Sequence, residues 1–318
     1  MSSEVQETER DRVSLGYSTS DLYAKYLPVQ LWGVLENNAD LDFDIYVFTD
    51  YISDINIERI DKVLQHFGNA KIKYIKVENS IFEEANTPQW NGSYATYYKL
   101  LFEKKLPEVE RILHLDIDTI CQGSLRPLLS IDMKGKLIAA RTEGAAKKHV
   151  NSHGLEMEEQ INAGVVLFDL RAIRAANLGT DFLLKVFVEN SAVLEYPEQD
   201  ILNLVYANNI RYFDETYNRR YWGDEPLLHH RRTKSWVLEQ ITWHILKPKP
   251  WTLPRWYWLG RAYRKVYLKT KVITGDLGYE QPTRLDSLKK GEMFNAFGTS
   301  WLCKLLYTLK TALRHNKP

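Results

Sequence analysis

The chain has 318 residues, of which 44% are apolar and 26% charged. It is long and apolar enough to bury the core of one large α/β domain or two small ones, and this composition excludes a disordered chain. Its net charge of +1 combines an acidic body (residues 1–251, net −8) with a basic end (residues 252–318, net +9), and the acidic body argues against nucleic acid as a partner. Cys121 and Cys303 stand far apart in unrelated contexts, which excludes a disulfide scaffold and a cysteine-based zinc site and suits a reducing compartment.

The predicted elements alternate between strands and helices over residues 13–250. The chain starts with a polar, acidic stretch and nowhere has a run of about 20 apolar residues, so we expect no signal peptide, no membrane span and a cytoplasmic location. Short apolar or alternating runs predict strands at 13–19, 43–50, 71–77, 111–115, 164–168 and 210–213. Apolar residues at helical spacing predict helices at 27–35, from Ser53 to 67, and at 97–106, 180–190 and 199–207.

This alternation predicts an α/β fold with a mostly parallel central sheet flanked by helices. Ligands of such sheets bind at the carboxyl ends of the strands. Because the composition becomes aromatic and basic after Trp251, we predict one domain over residues 1–251 and a separate tail over residues 252–318.

A pair of acidic residues follows the predicted strand 111–115. Side chains alternate along a strand, so Asp116 and Asp118 are expected on one face at its carboxyl end. Adjacent carboxylates repel each other unless a cation lies between them, and oxygen ligands at this density suit Mn²⁺ or Mg²⁺, which can bridge to a diphosphate. The alternative is that both aspartates only cap the following turn.

Two more motifs stand next to predicted elements. In Asn162-Ala163-Gly164, small residues let a ligand approach the backbone, and Asn offers an amide donor and acceptor; the alternative is an ordinary turn. Glu198-Gln199-Asp200 opens the helix 199–207, where acidic residues also serve as plain helix caps.

A histidine and two lysines close the predicted domain. His244 precedes Lys247 and Lys249, which are set among prolines, and this pattern predicts a stiff loop able to place cations on phosphate. A lone histidine is more often structural than a ligand.

Taken in order, these motifs resemble family 8 of the retaining glycosyltransferases. The series runs Y-x-K/R at 97–99, D-x-D at 116–118, N-A-G at 162–164, x-Q-D-x-L-N at 198–203 and a histidine followed by K-P-W at 244–251. That family holds glycogenin and the bacterial lipopolysaccharide glucosyl- and galactosyltransferases, and the resemblance covers about residues 13–251. It implies a single nucleotide-binding domain of the GT-A type that uses a UDP-sugar and Mn²⁺ (or Mg²⁺).

The resemblance also implies roles for individual residues. Metal ligands would be Asp116, Asp118 and His244. Gln199 would lie close to the anomeric carbon with Asp200 beside it, as the catalytic pair. Residues implied to bind the nucleotide, its diphosphate or the donor sugar are Ser18, Thr19, Ser20, Tyr23, Lys99, Ile117, Glu143, Asn162, Ala163, Gly164 and Lys249.

The chain departs from the family pattern at three places. Ser20 and Leu22 stand where an acid and an amide commonly contact the uridine, and Lys99 stands where an arginine is usual. Lysine keeps the charge but loses the two-pronged guanidinium. The histidine segment is one residue shorter than usual, with Lys247 in place of a glycine.

The basic tail allows two interpretations. Aromatic residues from Trp256 to Tyr267 interleave with cations, and an apolar stripe runs from Trp301 to Leu313. This fits an interfacial helix on an anionic membrane, where lipid-linked acceptors would reside. It fits equally a helix packed on the domain with its charges in solvent.

We therefore predict a retaining transferase that moves glucose or galactose from a UDP-sugar to a glycan, a lipid-linked oligosaccharide or a glycoprotein. One alternative is a sugar-phosphate nucleotidyltransferase, although Gly16 stands alone in the first turn, where such enzymes carry several glycines. The other is a non-catalytic protein that binds sugar nucleotides or glycans for another transferase.

Overall fold

The structure is a computed structural model that describes residues 10–84, 87–90, 92–145, 159–191, 194, 196–222, 238–253 and 258–278. Within these residues, ten strands form two sheets, and helices cover the larger one.

A seven-stranded sheet forms the centre of the molecule, with the strand order β3-β2-β1-β4-β7-β6-β8. Its strands are β1 (Asp11–Ser18), β2 (Leu41–Thr49), β3 (Ala70–Lys76), β4 (Arg111–Leu115), β6 (Ile138–Ala145), β7 (Glu159–Asp169) and β8 (Ile210–Tyr212). Strand β7 runs antiparallel to both of its neighbours, and the other neighbouring pairs are parallel. The prediction of a mostly parallel sheet is confirmed.

A smaller, three-stranded sheet has the order β5-β10-β9. It consists of β5 (Thr119–Cys121), β9 (Arg219–Trp222) and β10 (Thr242–Lys247). Sequence analysis missed these strands and β6. In β10 the consecutive residues 242–245 are all buried, so the strand lacks the alternation that identifies a half-exposed strand.

The helices include those predicted at 27–35, 53–67, 180–190 and 199–207, with small changes at their ends, and others that the sequence did not predict. They are α1 (Asp21–Ala24), α2 (Leu27–Asn37), α3 (Asp54–Phe67), α4 (Ser80–Glu83), α5 (Phe102–Lys105), α6 (Arg126–Leu129), α7 (Leu170–Ala175), α8 (Thr180–Asn190), α9 (Pro197–Tyr206) and α10 (Trp258–Thr274). The single helix predicted at 97–106 is instead a 3-10 helix, Ala95–Leu101, that continues into α5. Ser53 does precede α3, but its hydroxyl bonds to Asp21 rather than capping the helix.

The core lies on both faces of the central sheet. Long stretches of β1, β2, β4 and β7 are fully buried, as expected for strands covered on both sides. Helices α2 and α3 pack on each other and on α10, whereas α9 contacts β7 and α8.

The described part of the basic tail packs on the domain. In α10 the rings of Tyr263 and Tyr267 are buried, while Arg261 and Lys265 face solvent. Lys269 pairs with Glu36 of α2. Trp256, Tyr257 and the stripe 301–313 lie outside the described residues, and the boundary after residue 251 stays a prediction. None of the helices in the described ranges has the length and apolarity that crossing a bilayer requires.

Candidate active site

The acidic pair lies in a tight turn between β4 and β5. Strand β4 ends at Leu115, so Asp116 and Asp118 follow the strand as predicted, but strand alternation does not relate their side chains. The turn brings them together instead, and backbone hydrogen bonds hold it from three sides: Asp116 N donates to Gly164 O (2.8 Å), Thr119 N donates to Asp116 O (3.1 Å), and Ile245 N donates to Asp118 O (3.0 Å). The pair is thus fixed by β5, β7 and β10 together.

His244 completes a three-residue cluster. Strand β10 carries it beside the turn, with Nε2 3.2 Å from Asp118 Oδ1 and 3.5 Å from Asp116 Oδ2. One ligand atom from each of the three residues lies within 4.8 Å of the others. Two carboxylates and an imidazole nitrogen are a suitable ligand set for a divalent cation. The predicted metal ligands are therefore brought together, and they could hold such an ion.

Two lysines balance the carboxylates of the turn. Lys99 is 2% exposed, and its Nζ lies 3.3 Å from both Asp116 Oδ1 and the carbonyl oxygen of Ala163. Lys249 donates to Asp118 Oδ2. Burial opposes the charge of Asp116, yet Lys99, followed by His114, holds the pKa of that carboxyl well below its ordinary range. Lys99 thus lies beneath the turn and lines neither cavity described below.

His114 is a site residue that sequence analysis missed. Its Nδ1 lies 3.1 Å from the carbonyl oxygen of Gly16, and its Nε2 lies 2.8 Å from Asp116 Oδ1. Burial, together with the charge of Lys99, lowers the pKa of His114 to about 4. His114 is the second-last residue of β4, and its ring lies at the same edge of the sheet as the turn that carries Asp116.

A cavity of about 150 Å³ opens on one side of the turn. Of the residues predicted to bind the nucleotide, those lining it are Ser18, Thr19, Ser20, Tyr23, Ile117 and Lys249. Trp90 and Trp251 also line it, and the Trp251 ring stacks on Tyr26 with centroids 3.8 Å apart. Leu22, in contrast, is 66% exposed.

A second cavity, of about 260 Å³, adjoins the first, and the residues that line both are Trp90, Thr96, Asp116, Asp118 and Lys249. The predicted residues that line only this cavity are Glu143, Asn162, Ala163, Gly164, Gln199 and His244. The strand predicted at 164–168 begins earlier than expected, because β7 starts at Glu159, so Asn162, Ala163 and Gly164 lie inside the strand rather than next to its start. They reach the site because β7 runs antiparallel to β4.

The first turn of α9 directs neighbouring residues to different places. Gln199 Oε1 accepts hydrogen bonds from the backbone N of Ala163 (3.2 Å) and from Asn162 Nδ2 (3.3 Å). Asp200 lines neither cavity, and its carboxylate accepts from the backbone N of Tyr196 (2.9 Å). Glu198, which the sequence analysis gave no role, lines the second cavity, and burial raises its pKa.

Other lining residues were also missed. The second cavity is bordered by Trp90, Tyr196, Arg220 and Trp222, and Arg220 pairs with Glu143 at 2.5 Å. No motif marks these residues, since they come from separate elements. Of the missed aromatic residues, only Trp251 stood in a recognised pattern, the K-P-W segment.

A family model described as "Glycosyl transferase family 8" matches residues 14–252. The chain belongs to this family. Among curated relatives, the family 8 chain is 25% identical over 218 residues to a lipopolysaccharide 1,2-glucosyltransferase of Escherichia coli, an alignment that spans 66% of the chain and 63% of that relative. It is 23% identical over 226 residues to a lipopolysaccharide 1,3-galactosyltransferase of Salmonella typhimurium, covering 68% of the chain and 66% of the relative. The chain therefore spans slightly less than two thirds of the length of these relatives.

Solved structures share the fold of this family 8 chain. The galactosyltransferase LgtC, determined with donor and acceptor sugar analogues, superimposes with a TM-score of 0.69 at 22% identity, covering 88% of this chain and 100% of that one. The glycosyltransferase GlyE of Streptococcus pneumoniae TIGR4 gives a TM-score of 0.61 at 17% identity, covering 89% of this chain and 64% of that one. These likenesses establish a GT-A-type fold.

Proposed function

We propose that this family 8 protein is a retaining glycosyltransferase that moves glucose or galactose from a UDP-sugar to a glycan, a lipid-linked oligosaccharide or a glycoprotein. The observation that carries the proposal is the convergence of Asp116, Asp118 and His244 within 4.8 Å, at the junction of two cavities. One cavity suits the nucleotide and the other suits the donor sugar, so the diphosphate would cross between them at the metal ligands.

The charges at the junction suit a departing diphosphate. A Mn²⁺ or Mg²⁺ ion held by the three ligands would neutralise charge that develops on the leaving group. Lys249 lines both cavities and donates to Asp118, and its ammonium would stabilise the negative charge of a phosphate bound there. Lys99 would act from below, by keeping Asp116 ionised.

The opposite face of the donor sugar would meet Gln199. A primary amide is a weak nucleophile, and the Gln199 carbonyl oxygen already accepts two N–H donors. Both facts favour attack by the acceptor from the front side rather than a covalent adduct on Gln199. A catalytic role for Asp200 stays a prediction, because its observed contact is a cap of its own helix.

The nucleotide cavity offers hydroxyl groups and aromatic rings. Ser18 lines this cavity, and its Oγ is buried without a hydrogen-bond partner among the described residues. Ser20 and Tyr23 line the same cavity. Uridine recognition would therefore use neutral hydroxyls and stacking in place of the acid and amide of the family pattern.

Indirect observations support the proposed acceptor and location. Lipopolysaccharide glucosyl- and galactosyltransferases among the relatives support glucose or galactose as the sugar and a growing surface glycan as the acceptor. The exposed cations of α10, Arg261 and Lys265, support contact with the anionic cytoplasmic face of a membrane, where a lipid-linked acceptor would reside.

Donor hydrolysis tests the proposal without knowledge of the acceptor. UDP- and GDP-sugars are incubated with the protein, with and without Mn²⁺, and release of UDP or GDP is measured. We expect Mn²⁺-dependent hydrolysis of UDP-glucose or UDP-galactose, and at least a hundredfold loss in Asp118→Asn, which keeps the shape of the side chain but removes its charge. The proposal is refuted if the protein neither binds nor cleaves any of the sugar nucleotides. Pyrophosphate release from UTP and a sugar 1-phosphate would identify a nucleotidyltransferase instead.

A further inference from the structure

Asn162 is a point of contact between the metal cluster and Gln199. The residue is 5% exposed, and both ends of its side-chain amide are engaged by the protein. Its Oδ1 lies 2.9 Å from His244 Nδ1 and accepts from the backbone N of Gly164 and from Asn218 Nδ2, both at 3.1 Å. Its Nδ2 donates to Gln199 Oε1 at 3.3 Å.

These partners fix which way the amide points. The backbone N–H of Gly164 can only donate, so the Asn162 side-chain atom that faces it must be the oxygen, which also accepts from Asn218 Nδ2. His244 Nδ1 faces the same oxygen and must therefore carry a proton. In the neutral ring this leaves the lone pair on Nε2, the atom that faces Asp116 and Asp118.

The other end of the amide is equally constrained. Gln199 Oε1 also accepts from the backbone N of Ala163, so the Gln199 amide has its oxygen towards β7. One side chain of β7 therefore touches both a residue on β10 and a residue on α9, which are far apart in sequence.

We propose that Asn162 is a positioning residue that sets the tautomer and orientation of His244 for a divalent cation and, through its other end, holds Gln199 in register with the metal cluster. This deepens the proposed function at the same site. Groups that orient a metal-bound histidine in this way typically change metal affinity or activity by about 10–100-fold when removed.

Titration with Mn²⁺ alone, measured by electron paramagnetic resonance of the unbound ion, distinguishes the roles of the two ends of the Asn162 side chain. Asn162→Ala removes both contacts, and we expect its Mn²⁺ affinity to fall by about 10–100-fold. Asn162→Asp keeps an oxygen for His244 but has no N–H for Gln199. We expect it to bind Mn²⁺ within about threefold of the native protein or more tightly, while donor hydrolysis falls at least tenfold.

Two further variants show whether the effect passes through His244. In a double-mutant cycle, Asn162→Ala should cost no further Mn²⁺ affinity once His244→Ala is present. Asn69→Ala is the matched control, since Asn69 is also 5% exposed and bonds to the backbone of Leu41, away from the site. Its Mn²⁺ affinity should be unchanged, whatever its melting temperature.

The proposal is overturned if the native protein binds no Mn²⁺, if Asn162→Ala binds it normally, if Asn162→Asp loses affinity as Asn162→Ala does, or if the losses of Asn162→Ala and His244→Ala simply add. Failure of the proposed function looks different. In that case no sugar nucleotide is cleaved by any variant, while the pattern of Mn²⁺ affinities still supports positioning by Asn162.

Discussion

Individual residues shape this site through the space they leave as well as the atoms they supply. A Cβ atom built on Gly164 would lie 2.1 Å from Cε1 and 2.2 Å from Nδ1 of the His244 ring. Those atoms belong to a buried ring, so the histidine would have to move. The glycine of the N-A-G motif therefore makes room for a protein side chain, a role that the motif alone does not reveal.

Gly164→Ala should displace His244 and weaken the metal cluster. We expect Mn²⁺ affinity to fall at least tenfold, with a loss of about 1–3 kcal/mol in the free energy of unfolding from overpacking. Paramagnetic resonance and urea titration measure the two effects. Gly123→Ala is the control, because its new Cβ would meet its nearest atom at 3.4 Å, an ordinary contact. Normal Mn²⁺ binding by Gly164→Ala would show that the ring has room to spare.

The buried thiol of Cys121 allows a test of the fold, because its reactivity depends on its pKa. Burial in β5 raises the pKa of this thiol from 9.0 to about 11. The folded state thus holds the thiol proton more tightly than the unfolded chain, and this contribution to stability is lost as pH rises from about 9 to 11. At pH 8 we expect iodoacetamide to modify Cys121 at least a hundredfold more slowly in the native protein than in urea. Mass spectrometry of the tryptic peptide 112–134 follows the reaction, and equal rates in both states would contradict the burial.

At the scale of elements, one asparagine joins α9 to β7. Asn203 is fully buried; its Oδ1 accepts from the backbone N of Ile161 (2.8 Å) and its Nδ2 donates to the Ile161 carbonyl (3.3 Å). The side chain thus exchanges the same pair of bonds that a neighbouring strand would. Nδ2 also donates to the carbonyl of Gln199 at 2.9 Å, so the helix that carries Gln199 is fixed against the strand that carries Asn162.

Asn203→Ala should destabilise the protein and loosen the site. Two buried backbone groups of Ile161 lose this partner, so we expect the free energy of unfolding in urea to fall by about 3 kcal/mol. Asn190→Ala, which removes only a bond within α8 to the carbonyl of Val186, should cost less than about 1 kcal/mol. Similar losses in the free energy of unfolding for the two variants would argue against a special role of the Asn203 side chain in joining α9 to β7.

On the scale of the whole molecule, α10 joins the basic tail to the domain. Its buried tyrosines face α2 and α3, and its exposed face carries Arg261 and Lys265 beside Leu268 and Val272. Within the described residues, the packed-helix interpretation is therefore correct for Tyr263 and Tyr267, and Arg261 and Lys265 are exposed.

Reversing those exposed charges should weaken attachment to anionic vesicles. Each Lys or Arg near such a surface contributes about 1 kcal/mol, so Arg261→Glu with Lys265→Glu should reduce binding at least tenfold in cosedimentation with phosphatidylserine-containing vesicles. The control is Lys71→Glu with Lys105→Glu, which makes the same change in net charge at exposed residues outside α10. Equal binding of both double variants would exclude α10 as the contact.

Much of this protein follows from its sequence because the deciding interactions are local. Apolar runs and helical spacing predicted the main strands and helices, the parallel character of the sheet and, through the order of its motifs, the family, later confirmed by the match over residues 14–252. The nearness of Asp116 to Asp118 was also predictable, since one residue separates them, although a turn rather than strand alternation produces it.

Contacts between distant segments were decided only by the tertiary structure. His244 meets Asp116 because β10 pairs with β5, and Asn162 faces Gln199 because α9 packs on β7. Tertiary packing also placed Lys99 against Asp116, whereas Asp200 bonds to the start of its own helix. Strand pairing and burial depend on the whole chain at once, so no local pattern states which side chain will face the site and which will support it.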